Sequence, residues 1–313
     1  MTSDAEVKVT ELGYLGISVS NGAAWKAYAG GVAGMEVVDE GEKDRFYLRM
    51  DLWHHRIVVH TDGGDDLAYM GWRVGGPDEL DAMARQLNKA GVDVRVGSEA
   101  EATERHVLGL IKLNSPNGTP VEIFYGPRVD AHKPFHPGRP MFGSFVVGNE
   151  HGMGHCVVRE DDVEAAYHFY SLLGLRGSPE LKTTLPNGQV AKIWFMHCND
   201  RQHSVAFGVP MQKRINHLMV EYTELNDLGL AHEAVRRKGF DVALTLGKHC
   251  NDQALTYYAA NPSGWLWEFG WGARKSLQSQ EYSTCDVFGH TIEKPGYGID
   301  IPLSPPETSS KGE

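Results

Sequence analysis

The stretch GMGHCVV, residues 152–158, repeats in weakened form LGYLGISV at residues 12–19, and it places His155 where the earlier copy has Tyr14. The echo continues. VEAAYHFYSLLGL from Val163 matches GAAWKAYAGGVAGM from Gly22, and NDLGLAHEAVRRKGFDV from Asn226 matches PDELDAMARQLNKAGVDV from Pro77. NPSGWLWEFGWG from Asn261 matches SPNGTPVEIFYG from Ser115. A long-period repeat decides how many times one fold is built, so it is read before any local motif. Sliding one copy over the other sets Tyr14 against His155, Tyr69 against His217 and Glu122 against Glu268. The first copy keeps one carboxylate and fills both imidazole places with phenols. Chemistry is therefore expected in the second half and packing in the first.

Alternation over residues 7–20 suggests a strand, and apolar spacing over 22–33 a short helix. FYLRMD, HHRIVVH and AYMGWRV read as strands, and ELDAMARQLNKAG as an amphipathic helix stopped by Gly91. HVLGLIKLNSPNGTPVEIFYG reads as strand, turn and strand. The same order restarts near Gly152, with helices over 162–173 and 226–238 and strands near 189–197, 203–208, 215–222, 254–260 and 264–270. Each half looks like two βαβββ units, an α+β architecture whose sheet curls so that strands converge in a concavity. The expected division is a non-catalytic unit over 7–133, a linker over 134–148, a catalytic unit over 149–301 and a disordered tail over 302–313.

Thirty Lys and Arg against forty-one Asp and Glu give a net charge of −11, which opposes nucleic acid and acidic membrane surfaces as partners. No apolar run is long enough to span a bilayer and no signal segment opens the chain, so a cytoplasmic protein is expected. The four cysteines lack CxxC spacing, and three directly follow a histidine. Neighbours on a strand face opposite ways, so a ligand histidine would send its cysteine into the packed layer as a free thiol.

His155, His217 and Glu268 each fall on a different strand of the second half. Two imidazoles and one carboxylate can hold one face of a metal ion and leave the other for substrate and dioxygen, as in non-haem ferrous oxygenases. A lone strand histidine is more often structural, and it is the repeat asymmetry that shifts the reading toward ligands. His203 and His249 are candidates for proton transfer, since an uncoordinated imidazole titrates near neutrality. Tyr258 could hydrogen-bond a ligated oxygen or be core, and His249 could merely cap a turn. Asp252 suits an acceptor that orients an imidazole better than a ligand. His54, His55 and His60 read as structural or as subunit contacts, and His132 and His136 rank lower. Phe195, Trp194, Phe207, Pro210, Met211, Trp265 and Trp267 are available for an aromatic wall, although most would be core in any such sandwich.

DEGEKDRFYLRMD, W-HHRIVVH, KPFHPGRP, GMGHCVVR, FMHCND, KRINHLMVEYT, TLGKHCND and NPSGWLWEFGW together resemble the type I extradiol ring-cleavage dioxygenases of the vicinal oxygen chelate superfamily, from about Leu12 to Ile301. Within that family the chain looks most like the enzymes acting on 1,2-dihydroxynaphthalene and 2,3-dihydroxybiphenyl. The resemblance implies the vicinal oxygen chelate fold, two barrel-like domains of tandem βαβββ modules. It implies Fe2+ held by His155, His217 and Glu268, with His203 as the distal residue facing dioxygen. His249 and Tyr258 would contact the substrate hydroxyls, supported by Asp252. It implies a catecholic substrate, dioxygen as co-substrate, and a homo-oligomer, commonly an octamer. Gln202 departs from the paired histidines of many biphenyl-type members, which bears on the surroundings of His203. A metal-dependent isomerase or lyase of the same superfamily is the enzymatic alternative, and a metal-free binding protein the non-enzymatic one.

Overall fold

The computed structural model describes residues 6–148, 151–184, 190–276 and 283–298. The tail over 302–313 and the end of the catalytic unit from 299 to 301 lie outside the described residues. The first half runs β1 (Glu11–Ser18), α1 (Gly22–Tyr28), β2 (Glu36–Val38), β3 (Arg45–Arg49), β4 (Ile57–His60), β5 (Asp66–Arg73), α2 (Pro77–Lys89), β6 (Arg95–Val96), α3 (Glu99–Glu104), β7 (Gly109–Asn114) and β8 (Pro120–Tyr125). The second runs β9 (His155–Val158), α4 (Val163–Leu172), β10 (Arg176–Thr184), β11 (Val190–His197), β12 (Val205–Phe207), β13 (Ile215–Tyr222), α5 (Leu225–Arg237), β14 (Val242–Lys248), β15 (Leu255–Ala260) and β16 (Leu266–Trp271).

Each half is one eight-stranded mixed sheet, ordered β2-β3-β4-β1-β5-β8-β7-β6 and β10-β11-β12-β9-β13-β16-β15-β14. The first strand of each module pairs parallel with its last, β1 with β4 and β5 with β8, and two modules join where β1 meets β5 antiparallel. The second sheet repeats this with β9, β12, β13 and β16. This is the α+β vicinal oxygen chelate architecture expected above.

Local chemistry explains the helices. Asn21 caps α1 and Asp162 caps α4, each accepting amides of the first turn, while Pro77 opens α2. The α2 stripe of Leu80, Met83 and Leu87 and the α5 stripe of Leu228, Ala231 and Val235 are buried at helical spacing. The segment expected as one helix over 22–33 is α-helical only to Tyr28. It then widens into a π-type turn over Ala29–Ala33 that ends at Gly34, where φ is +84°.

The halves share one core. Trp25 packs 5.5 Å from Trp265 and 5.9 Å from Trp267, and its indole N–H donates to Ser263 Oγ at 2.8 Å. Tyr222 donates to the Ala33 carbonyl at 2.7 Å. The concave faces of both sheets remain outside this core and hold smaller apolar clusters. Among the described residues, no helix is long and apolar enough to cross a membrane.

Candidate metal centre and active site

Three neighbouring central strands of the second sheet bring together the residues singled out by the repeat. His155 on β9 stands opposite Met219 on β13, and Met219 stands opposite Glu268 on β16. His217 lies two residues before Met219, so strand alternation turns it to the same face. His155 Nε2 lies 3.1 Å and His217 Nε2 3.2 Å from the same Glu268 oxygen, Oε2. All three residues are buried.

The protonation pattern suits ligands. Asn216 Oδ1 lies 2.8 Å from His217 Nδ1 and fixes the ring with Nε2 toward Glu268. Burial pushes His155 down to about 4, so its imidazole is neutral at neutral pH. Burial alone would raise Glu268, but hydrogen bonds from His155, His217 and His249 hold it well below the usual carboxylate range. Two imidazole nitrogens and an ionised carboxylate packed this closely, out of water, form a donor set that fits one divalent cation.

This cluster forms one end of a cavity of about 690 Å³, counting its open mouth, whose remaining wall is largely apolar: Val157, Leu181, Ile193, Phe195, Val209 and Leu244. His203 packs against His155 with ring centroids 3.8 Å apart and lies in the cavity wall. Gln202 Oε1 accepts the His203 Nδ1–H at 2.5 Å, leaving Nε2 uncoordinated. His249 Nε2 lies 2.9 Å from the Tyr258 hydroxyl and 3.0 Å from Glu268 Oε1. Tyr258 stands directly opposite Glu268 in the β15–β16 ladder. The hairpin turn that interrupts the count between them therefore leaves both on one face.

Several expectations need correction. His203 precedes β12 and does not lie on it, because the ladder with β9 begins at Val205. The carboxylate that anchors His249 at Nδ1 is Asp286, at 2.9 Å, whereas Asp252 Oδ1 accepts the Ala254 amide. Burial still raises Asp252 to about 6, with the nearby positive field of His249 opposing it. Of the aromatic wall only Phe195 lines the cavity. Trp265 and Trp267 pack on Trp25, and Phe207 stacks on Tyr170. Cys156 points away from His155 and meets Met70 of the first half, S to S at 3.6 Å.

Two features escaped the sequence reading. Asp286 and His290, in the segment after β16, form a buried cluster with His249. Their only local signal is the i, i+4 spacing in DVFGH. In the first half, His55 takes the place of His203: Leu15 pairs with Ile57 as Cys156 pairs with Val205. Extending the repeat alignment into HHRIVVH would have found it.

The family model described as Glyoxalase/Bleomycin resistance protein/Dioxygenase superfamily matches residues 152–269, and that described as Dihydroxybiphenyl dioxygenase BphC D1 matches residues 12–61. A biphenyl-2,3-diol 1,2-dioxygenase of Sphingomonas paucimobilis is 68% identical over 298 residues, covering 95% of this chain and 99% of that protein. A 1,2-dihydroxynaphthalene dioxygenase of Sphingobium xenophagum is 68% identical over 296 residues, covering 94% and 99%. Among solved structures, one described as catechol 2,3-dioxygenase superposes with a TM-score of 0.93 at 64% identity, covering 96% of this chain and 100% of that one.

Proposed function

Because this chain belongs to the extradiol dioxygenases of the Glyoxalase/Bleomycin resistance protein/Dioxygenase superfamily, we propose that it opens the ring of a two-ring catechol with dioxygen. The ring system is fused, as in 1,2-dihydroxynaphthalene, or biaryl, as in 2,3-dihydroxybiphenyl, and the setting is degradation of aromatic hydrocarbons. One observation carries this reading. Two imidazoles and a carboxylate from three adjacent strands converge at the polar end of a cavity whose remaining wall is largely apolar.

In this proposal Fe2+ is held by His155, His217 and Glu268. When bound, the ion supplies Lewis acidity toward two vicinal oxygens and a path for electrons to dioxygen. The protein's own residues do the rest. Phe195, Ile193, Leu181 and Leu244 bind the hydrocarbon rings and exclude water. His249 and Tyr258 face the polar end, where the imidazole and the phenol hydrogen-bond the substrate hydroxyls and Nε2 exchanges a proton with them. Asp252 adds a negative field toward His249. His203 Nε2, uncoordinated and fixed by Gln202, offers a proton donor or acceptor beside the place left for dioxygen. An isomerase or lyase reading leaves His203, His249 and Tyr258 without work. A monocyclic or alkyl-substituted catechol remains the second substrate reading, since the cavity excludes nothing smaller. Chemistry confined to 149–301, a homo-oligomer up to an octamer and a cytoplasmic setting belong to the same proposal.

The test is aerobic turnover by the iron-reconstituted protein against naphthalene-, biphenyl- and methyl-substituted catechols and catechol itself. Uptake of one O2 per ring, with yellow products and preference for two-ring substrates, is expected. Isomerisation without oxygen uptake would refute it.

A further inference from the structure

The segment 283–298 lies along the outer edge of the second sheet, bridging to β14 at Lys248–Phe288 and Leu244–Ile292. It carries Asp286 inward between two imidazoles. Asp286 Oδ1 accepts the Nδ1–H of His249 at 2.9 Å, and Oδ2 accepts the Nδ1–H of His290 at 2.5 Å. The far nitrogen of His290 lies 2.9 Å from Thr256 Oγ1 and 3.1 Å from the Thr256 carbonyl on β15. The Asp286 and His290 side chains are 2% and 0% exposed. His290 holds φ at +53°, a conformation that a non-glycine residue keeps only where its surroundings over-determine it.

A staple for the segment would need only His290. The second carboxylate oxygen goes instead to His249, which lines the cavity and reaches the Tyr258 hydroxyl through Nε2. We propose that Asp286 is a positioning residue of this site, anchoring His249 through Nδ1 so that Nε2 points into the cavity, with His290 and Thr256 bracing Asp286 from behind. The Nδ1–H is donated to Asp286 whether or not Nε2 carries a proton, so the anchor serves His249 both before and after proton transfer. A carboxylate behind an imidazole sets its ring plane and its tautomer. This inference rests on the role proposed for His249.

The test uses the full chain with Asp286→Asn, Asp286→Ala and His290→Ala. D286A is expected to lose about 10–100-fold in kcat/KM at unchanged metal content and folded fraction, the range for groups that orient a site's acting side chains. D286N, whose amide oxygen accepts one imidazole N–H, should fall between D286A and wild type. Anaerobic affinity for 4-nitrocatechol, read from its visible absorbance, should fall in the same order. In the metal-free protein the anchored imidazole protons should give slowly exchanging downfield resonances, both lost in D286A and one lost in H290A. Wild-type kcat/KM in D286A, or a loss matched entirely by lower metal content in both Asp286 variants, overturns the proposal. The resonance measurement needs no turnover, so it tests the anchor even if the wild-type chain cleaves no catechol, a result that would defeat the proposed function instead.

Discussion

Glu122 in the first sheet and Glu268 in the second occupy the same ladder position, and the two halves neutralise them with different partners. Tyr14 opposes Gly71 and Gly71 opposes Glu122, just as His155 opposes Met219 and Met219 opposes Glu268. In the first half Arg105 grips Glu122 with Nε and Nη2, both at 3.0 Å. Tyr14 donates to it at 2.7 Å, and Lys112 stands 3.3 Å away. The guanidinium lies 3.9 Å over the ring of Tyr69. A buried carboxylate needs a cationic or hydrogen-bonding partner. The first half builds that partner into the chain. The second surrounds its carboxylate with imidazoles, whose nitrogens can turn to a cation taken from solution.

The neighbours have adjusted too. A Cβ on Gly71 would sit 2.3 Å from the Tyr14 ring, and one on Gly16 would sit 2.1 Å from Tyr69. The matching positions of the second half carry Met219 and Val157, because the shorter imidazoles leave space. Converting one half into the other therefore takes more than exchanging the three central side chains.

This contrast can be broken in several ways. The largest expected effect is Glu268→Ala or His217→Ala, which should cut bound metal and ring cleavage by more than about 100-fold, beyond the range for orienting residues alone. Metal content by mass spectrometry and oxygen uptake would check this, and retention of both would end the equivalence of a metal with Arg105. Next, Arg105→Ala strands Glu122 without its main cation and should cost about 3–5 kcal/mol in denaturant unfolding while metal affinity persists. The double change Arg105→Met with Glu122→Gln should recover much of that loss. Tyr14→Phe removes one hydrogen bond to a buried carboxylate, which should cost about 1.5–3 kcal/mol and leave ring cleavage intact. Loss of turnover in a folded Y14F protein would mean that the first concavity takes part in catalysis.

The smallest effect concerns acid. Burial pushes His54, His55 and His106 below their ordinary value of 6.5, His106 to about 4. The unfolded chain then binds more protons than the folded one between those two values. Stability should therefore fall as pH drops from 6.5 toward about 4 and be level in this respect above 6.5. Unfolding midpoints across that window, with His106→Asn flattening the slope, would measure it. A slope unchanged by the substitution would remove His106 from the account.

Much of this was legible from residue order. The repeat, read with strand alternation, places His155, His217 and Glu268 on three strands, and the helices follow from capping residues and apolar stripes. What stayed hidden depends on contacts distant in the chain. Asp286 reaches His249 across 37 residues, from the segment 283–298, whose described residues form no named strand or helix. Trp265 and Trp267 look like substrate wall until Trp25, from the other half, is seen to occupy their faces. Arg105 sits between a glutamate and a histidine in ATERHV with nothing to mark it as the cation for Glu122.

From its sequence alone, then, this chain determined its doubled βαβββ plan and which copy sets two imidazoles against the carboxylate that the repeat aligns, because alternation and repetition are properties of residue order. Only the tertiary structure decided which cation answers each buried carboxylate and which carboxylate holds His249, because charge compensation and hydrogen bonding act through space between groups that the chain keeps far apart.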